Sequence, residues 1–341
     1  MTSFLDDTDR DLPHTRIDTS EVLDRMAVMR QQEEITYRCG DYLSMFHRKS
    51  KENNEVTHRT AVSRTSPTES CGYEKCDIDE ECRVKMCEWC YQVVDFCKLR
   101  RETVEIAMSY LDRYLFSGVV LDSQPQKNIT LEAFHDRKSF QLAAMTSLYI
   151  AIKLFEPALV DADTMSVCVR GEYTANEIIS METLVLKALQ WRVNPPTTLA
   201  FVHHYLSLCP QEVIPEPVVC ALYDAARFQT EIAMKDYFFV AVNRSTIAIA
   251  SILNAMEGMP DTFLPDSARH FIIQKIMDIT TTHDSFTGSL KTKEKLKRGL
   301  TRGFNFEVLL LKYSMNSLSF TPKAMSDVNL PRANMPLICT T

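Results

Sequence analysis

Glycine is scarce, with 8 residues in a chain of 341. So little of it leaves no glycine-rich loop to cradle phosphates, which excludes a nucleotide-binding kinase signature. Strand-like alternation is equally thin, whereas apolar residues recur at helical spacing through most of the sequence. An all-α fold is expected. No apolar run has the length and purity of a membrane span, and the opening "MTSFLDDTDRDLPHTR" is too acidic and interrupted for a secretory leader. The expectation is an intracellular chain with no membrane association.

In such a chain the eleven cysteines, an odd number, read as reduced thiols rather than a disulfide framework. Six crowd together: Cys71, Cys76, Cys82, Cys87, Cys90 and Cys97. They contain one CxxC pair, and no second close pair of Cys or His stands at structural-zinc spacing. Neither metal nor cofactor is expected. Within "ECRVKMCEWCYQVVDFCKL", Met86, Cys90, Val93 and Cys97, with Cys87 and Val94 beside them, repeat one helical turn apart, so cysteine serves there as a small core residue. His203 and His204 are adjacent, but neighbours on a helix point in different directions and no cysteine has an activating neighbour. The chain is not expected to be an enzyme.

The 45% hydrophobic content suffices for one large core or two ordinary ones, and the formal charge of −7 favours protein partners over general nucleic-acid binding. One leading helix is expected from about Ser20 to Phe46, packed outside the main domain, followed by a polar linker in which Ser66 precedes Pro67. Residues 1–78 form this N-terminal region. Five helices then fill residues 79–193. The second carries Val104, Ala107, Met108, Leu111 and Leu115 on one face. The connection over residues 117–136, with Gly118, Pro125 and Asn128, reads either as a helix or as a loop. The third helix is apolar nearly all round and stops at Pro157, and the fifth starts with a Thr174/Glu177 capping box. A second five-helix series is expected over residues 197–312, its third helix spanning "FFVAVNRSTIAIASILNAM" and its fifth bearing Lys291, Lys293, Lys295, Lys297, Arg298 and Arg302 as a basic face. Residues 313–341 read as a flexible tail.

Two five-helix units, each with an apolar third helix, resemble the tandem cyclin box. The resemblance is carried by Arg83, Met86, Trp89, Leu99, Val104, Ala107, Met108, Tyr110, Leu111, Asp112, Arg113 and Tyr114, at the spacing of the first box; Cys90 replaces an aliphatic residue. "VLDRMAVMRQQEE" is similar to the N-terminal helix of D-type cyclins, although the LxCxE motif of many of them is absent. The resemblance implies two tandem five-helix cyclin-box domains with an extra N-terminal helix. It also implies a non-catalytic regulatory subunit of a cyclin-dependent protein kinase in cell-cycle control, placed in nucleus and cytoplasm, with kinase substrates or inhibitors as further partners.

By that resemblance Lys153, set in the apolar run "SLYIAIKLFEP", pairs with Glu182, and together they meet the kinase main chain, flanked by Ile150, Leu186 and Trp191. Read without it, Lys153 is a snorkelling lysine near a helix C-terminus, and Ile150 and Leu186 are ordinary core residues. The resemblance places Arg83 and Asp112 together as a fold-fixing pair. It places Met86, Trp89 and Gln92 in a substrate-docking slot that Lys85, in place of an aliphatic residue, would narrow or retune. The alternative function is a cyclin-fold transcription or nucleic-acid-binding factor, supported by the basic fifth helix and opposed by the acidic total.

Overall fold

A computed structural model describes residues 18–49, 78–120, 127–157, 160–210, 213–280 and 283–299. Cys71, Cys76, Ser66, Arg302 and the expected tail lie outside them. Among the described residues there is no strand, no group of side chains that could hold a metal ion, and no helix long and apolar enough to cross a membrane. The expected all-α architecture forms, but among the described residues the first series has six helices where five were expected, and the second has five. The helices are α1 (Thr19–Gln31), α2 (42–49), α3 (Glu80–Phe96), α4 (Glu102–Val120), α5 (Lys127–His135), α6 (Arg137–Phe155), α7 (Ala162–Cys168), α8 (Ala175–Ala188), α9 (Thr198–Ser207), α10 (Glu216–Lys235), α11 (Arg244–Gly258), α12 (Asp266–Ile279) and α13 (His283–Gly299). The connection over residues 117–136 is thus the end of α4 followed by α5.

With glycine so rare, the helices are delimited by side chains. Asp18, Asp79, Asp136, Asp161, Thr174 and Thr197 each accept a hydrogen bond from an amide in the following turn, satisfying donors that have no partner within the helix. The Thr174/Glu177 capping box is present in both directions. Where the chain needs a left-handed residue it uses Lys98, Arg170, Gln190 and Trp191 as well as Gly171.

The chain divides into two compact units. One contains α2 to α8 and the short turn Tyr237–Ala241. Its centre is α4, enclosed on every side rather than on the single face its pattern suggested, and packed on α6, which is equally enclosed. Arg83 and Asp112 do pair. The guanidinium donates through Nε to Oδ1 at 2.8 Å and through Nη2 to Oδ2 at 2.9 Å, with both side chains all but inaccessible. Tyr42 donates its hydroxyl to the same carboxylate at 2.9 Å, so one anion holds α2, α3 and α4. The Asp112 carboxylate holds the guanidinium pKa up against burial. Cys87 and Cys90 are core residues as expected, but Cys97 follows the end of α3 and is exposed.

The other unit contains α1 and α9 to α13. Here the leading helix departs from expectation twice. It ends at a π-turn, Gln32–Thr36, and restarts as α2, so it is not continuous. Nor does it pack outside: Val22 and Met26 are buried in one cluster with Phe201, Tyr205, Leu222 and Ile252. Its far end is fastened by polar groups. Arg30 donates to the Ile279 carbonyl at the end of α12 (2.8 Å), and Glu33 accepts from Ser245 N at 3.0 Å and from Ser245 Oγ. Glu33 therefore satisfies the start of α11, whose own preceding residue, Asn243, makes no side-chain cap. That is also why "FFVAVNRSTIAIASILNAM" is not one helix: its first part is the turn Tyr237–Ala241, whose Tyr237 donates to Asp41 at 3.0 Å and accepts from Leu43 N.

Two outcomes are expected. Asp112→Ala strands a buried guanidinium, and urea unfolding should show a loss of about 3 to 5 kcal/mol; replacing both partners by apolar residues should cost less. Burial, with His203 and Arg25 close by, depresses the His204 pKa from 6.5 to about 4. The unfolded chain therefore takes up this proton first as pH falls, and stability should be full above pH 6.5 and decline towards pH 4. A His204→Asn variant should show a shallower decline in the same melts.

Candidate functional site

Lys153 lies in the last turn of α6, where the helix dipole favours a cation. Its stem runs past Tyr149, and its ammonium sits 5.3 Å from that ring centroid. The head group is not in free solvent: Nζ donates to Glu182 Oε1 on α8 at 2.9 Å. The lysine side chain remains 48% exposed and the glutamate only 13%. The hydrogen bond to Glu182 holds the Lys153 pKa above its ordinary value, so the ammonium is fully charged at neutral pH. The pair offers donors from one residue and acceptors from the other, at the rim of a packed surface.

Both supports are fixed locally. The chain turns away after α6 at Glu156, whose carboxylate accepts from Arg100 N at 3.2 Å and from the Thr103 hydroxyl at the start of α4. Arg100 in turn donates to the Phe155 carbonyl. α8 ends in a Schellman turn: Trp191 N donates to Leu186 O and Gln190 N to Lys187 O, both at 3.0 Å. Gln190 (φ 54°) and Trp191 (φ 58°) are left-handed, a conformation that costs a residue with a Cβ about 1 kcal/mol or more. Just beyond, Arg113 of α4 donates to the Arg192 carbonyl at 3.0 Å and Tyr110 to that of Val193. The strained turn is thereby pinned, and the Trp191 indole is left 67% exposed.

The residues singled out from sequence separate into two groups. Lys153, Glu182 and Trp191 reach the surface. Ile150 and Leu186 do not: both are buried, Ile150 in α6 and Leu186 with Ile178, Met181 and Val185 on α8. Met86 and Trp89 are likewise buried, leaving Gln92 exposed at the place expected for a docking slot, while Lys85 pairs with Glu81 at 2.8 Å. Two exposed apolar residues were missed, Leu154 beside Lys153 and Ile179 one turn before Glu182. Ile179 was visible in principle, because it falls outside the stripe of Ile178, Met181 and Val185 that packs inward. Leu154 was hidden by the uniformly apolar sequence of α6.

Glu156→Ala should free the start of α4 and the end of α6 together. The expected cost is about 1 to 2 kcal/mol in urea unfolding, with faster amide exchange in the last turn of α6.

Residues 56–194 match the family model "Cyclin, N-terminal domain". Among curated relatives, Cyclin-A1-4 of Oryza sativa subsp. japonica is 26% identical over 263 residues, 75% of this chain and 65% of that protein. G1/S-specific cyclin-D1 of Rattus norvegicus is 25% identical over 221 residues, 62% of this chain and 68% of that one. G1/S-specific cyclin-E of Caenorhabditis elegans is 31% identical over 135 residues, 39% of this chain and 23% of that one. The chain spans 65% of the length of Cyclin-A1-4 and 57% of that of Cyclin-A1-1 of Arabidopsis thaliana. The solved structure of a viral cyclin from herpesvirus saimiri is similar at 17% identity and a TM-score of 0.49, covering 66% of this chain and 88% of that one. These matches do not single out the D type suggested by the leading helix. Residues 56–194 thus match the cyclin N-terminal domain, and the chain is similar to cyclins of the A, D and E types.

Proposed function

We propose that the chain is a regulatory subunit that binds and activates a cyclin-dependent Ser/Thr protein kinase in cell-cycle control. The observation that carries this reading is the Lys153–Glu182 pair, bridging α6 and α8 at 2.9 Å beside exposed Leu154, Ile179 and Trp191. In the free chain a half-exposed pair of this kind stabilises little. Its value lies in what it offers a partner. An ammonium with unused donors and a carboxylate with unused acceptors can meet the carbonyl and amide groups of a helix end or loop, while the apolar neighbours exclude water around them.

Activation then requires no chemistry from this chain. A rigid surface that fits one conformation of the kinase better than another shifts the balance by the difference in affinity. Moving a kinase from 1:99 to 99:1 in favour of the active form takes about 5.5 kcal/mol of difference. The pinned α6 and α8 ends suit that task, because a surface that deformed to fit both conformations would discriminate between neither.

Glu182→Ala leaves Lys153 to be buried unpaired on docking, and should weaken the complex by about 3 to 5 kcal/mol. Pull-down of a purified cyclin-dependent kinase and phosphorylation of a histone substrate provide the readouts. The exchange variant Lys153→Glu/Glu182→Lys separates docking from folding. It keeps an ion pair within the chain, so thermal stability should be retained while activation stays lost. Wild-type activation by the Glu182→Ala protein would overturn the reading.

A further inference from the structure

In the unit built on α9 to α13, α11 packs against α13 as α6 packs against α8 in the other unit. α6 is joined to α8, and α11 to α13, by an ion pair at the C-terminal turn of the earlier helix, but the signs are exchanged. Glu257 on α11 pairs with Lys293 at 2.7 Å and Lys297 at 2.5 Å on α13. A carboxylate there faces the unfavourable end of the helix dipole. Two ammonium groups offset that and hold the Glu257 pKa down at about 2. The register along α8 and α13 also corresponds. Leu290 stands one turn before Lys293 as Ile179 does before Glu182, and both are exposed.

The inverted pair has a feature with no counterpart at Lys153. Asn254, one turn before Glu257 and only 7% exposed, donates its amide to the Lys293 carbonyl at 3.1 Å, yet its Oδ1 is buried without a hydrogen-bond partner. A buried acceptor in this state calls for a donor. Further round α13, Lys291 and Arg298 are exposed cations on a chain whose formal charge is −7.

We propose that the face formed by α11 and α13 is a docking surface for an acidic polypeptide segment. A main-chain N–H of the segment supplies the donor for Asn254, its carboxylates meet the α13 cations, and an apolar side chain covers Leu290. Nucleic acid fits this face less well. Its phosphodiester backbone brings no N–H donor for the Asn254 Oδ1.

The test is fluorescence anisotropy of the full chain with a labelled peptide of alternating Glu and Leu. The same peptide with Lys for Glu, and a short single-stranded oligonucleotide, serve as comparison probes. The acidic peptide should bind in preference to both. Lys291→Glu/Arg298→Glu, two exposed changes that leave the helix contacts intact, should weaken binding at least about tenfold, and Asn254→Ala at least about threefold. The Lys291→Glu/Arg298→Glu protein should still activate the kinase, since the Lys153 pair is untouched. Equal affinity for the basic peptide, an unchanged affinity in the charge-reversal variant, or tighter binding of the oligonucleotide would each overturn the proposal.

Discussion

The unit that carries the Lys153 pair is organised around one buried anion. Asp112 is held in the middle of α4 by the two-pronged guanidinium of Arg83 and by the Tyr42 hydroxyl. Removing two charges from water is expensive, and a pair of apolar residues could fill the same volume at lower cost. What the ionic version adds is direction: a planar fork meets a planar carboxylate in few orientations, and this fixes the approach of α3 to α4. Everything the surface presents is referred to α4. Its first turn receives Glu156 at the end of α6, and its Tyr110 and Arg113 hold the chain beyond α8.

Charge is used in three distinct settings. Between Arg83 and Asp112 it is fully buried and specifies geometry. At the helix starts it is an aspartate carboxylate that accepts from amides left without a carbonyl partner in the helix. Between Lys153 and Glu182 it is half open to water, and such a pair contributes little to holding the fold; under the proposed function its strength would rise once a partner excluded solvent.

What the sequence made legible follows from the range of the interactions involved. Helix starts depend on a residue and the three that follow it, so Thr174 with Glu177 could be read directly. The family spacing brought Arg83 to Asp112 and Lys153 to Glu182 correctly. Periodicity alone could not tell a residue facing a partner from one facing the core, and Ile150, Met86 and Trp89 prove to face inward in the free chain. The break after α1 was not legible either. It depends on Glu33 reaching Ser245, more than two hundred positions away in the sequence, and no local pattern announces such a contact. The enclosure of α4 was missed for the same reason: one face of its pattern is apolar, and the rest is enclosed by α3, α5, α6 and α8, contacts that no local pattern announces.

The destination of α1 bears on how this protein can be divided. Its most N-terminal described helix supplies side chains and two helix-end contacts to the unit whose remaining helices begin at Thr198. A fragment trimmed to residues 56–194 would in turn lose α2, with the Tyr42 bond to Asp112, and the turn Tyr237–Ala241 from its own unit. Expressing α9 to α13 alone would leave an apolar slot where Val22 and Met26 belong, and an amide at Ser245 without its acceptor. The architecture is modular in space and interleaved along the chain.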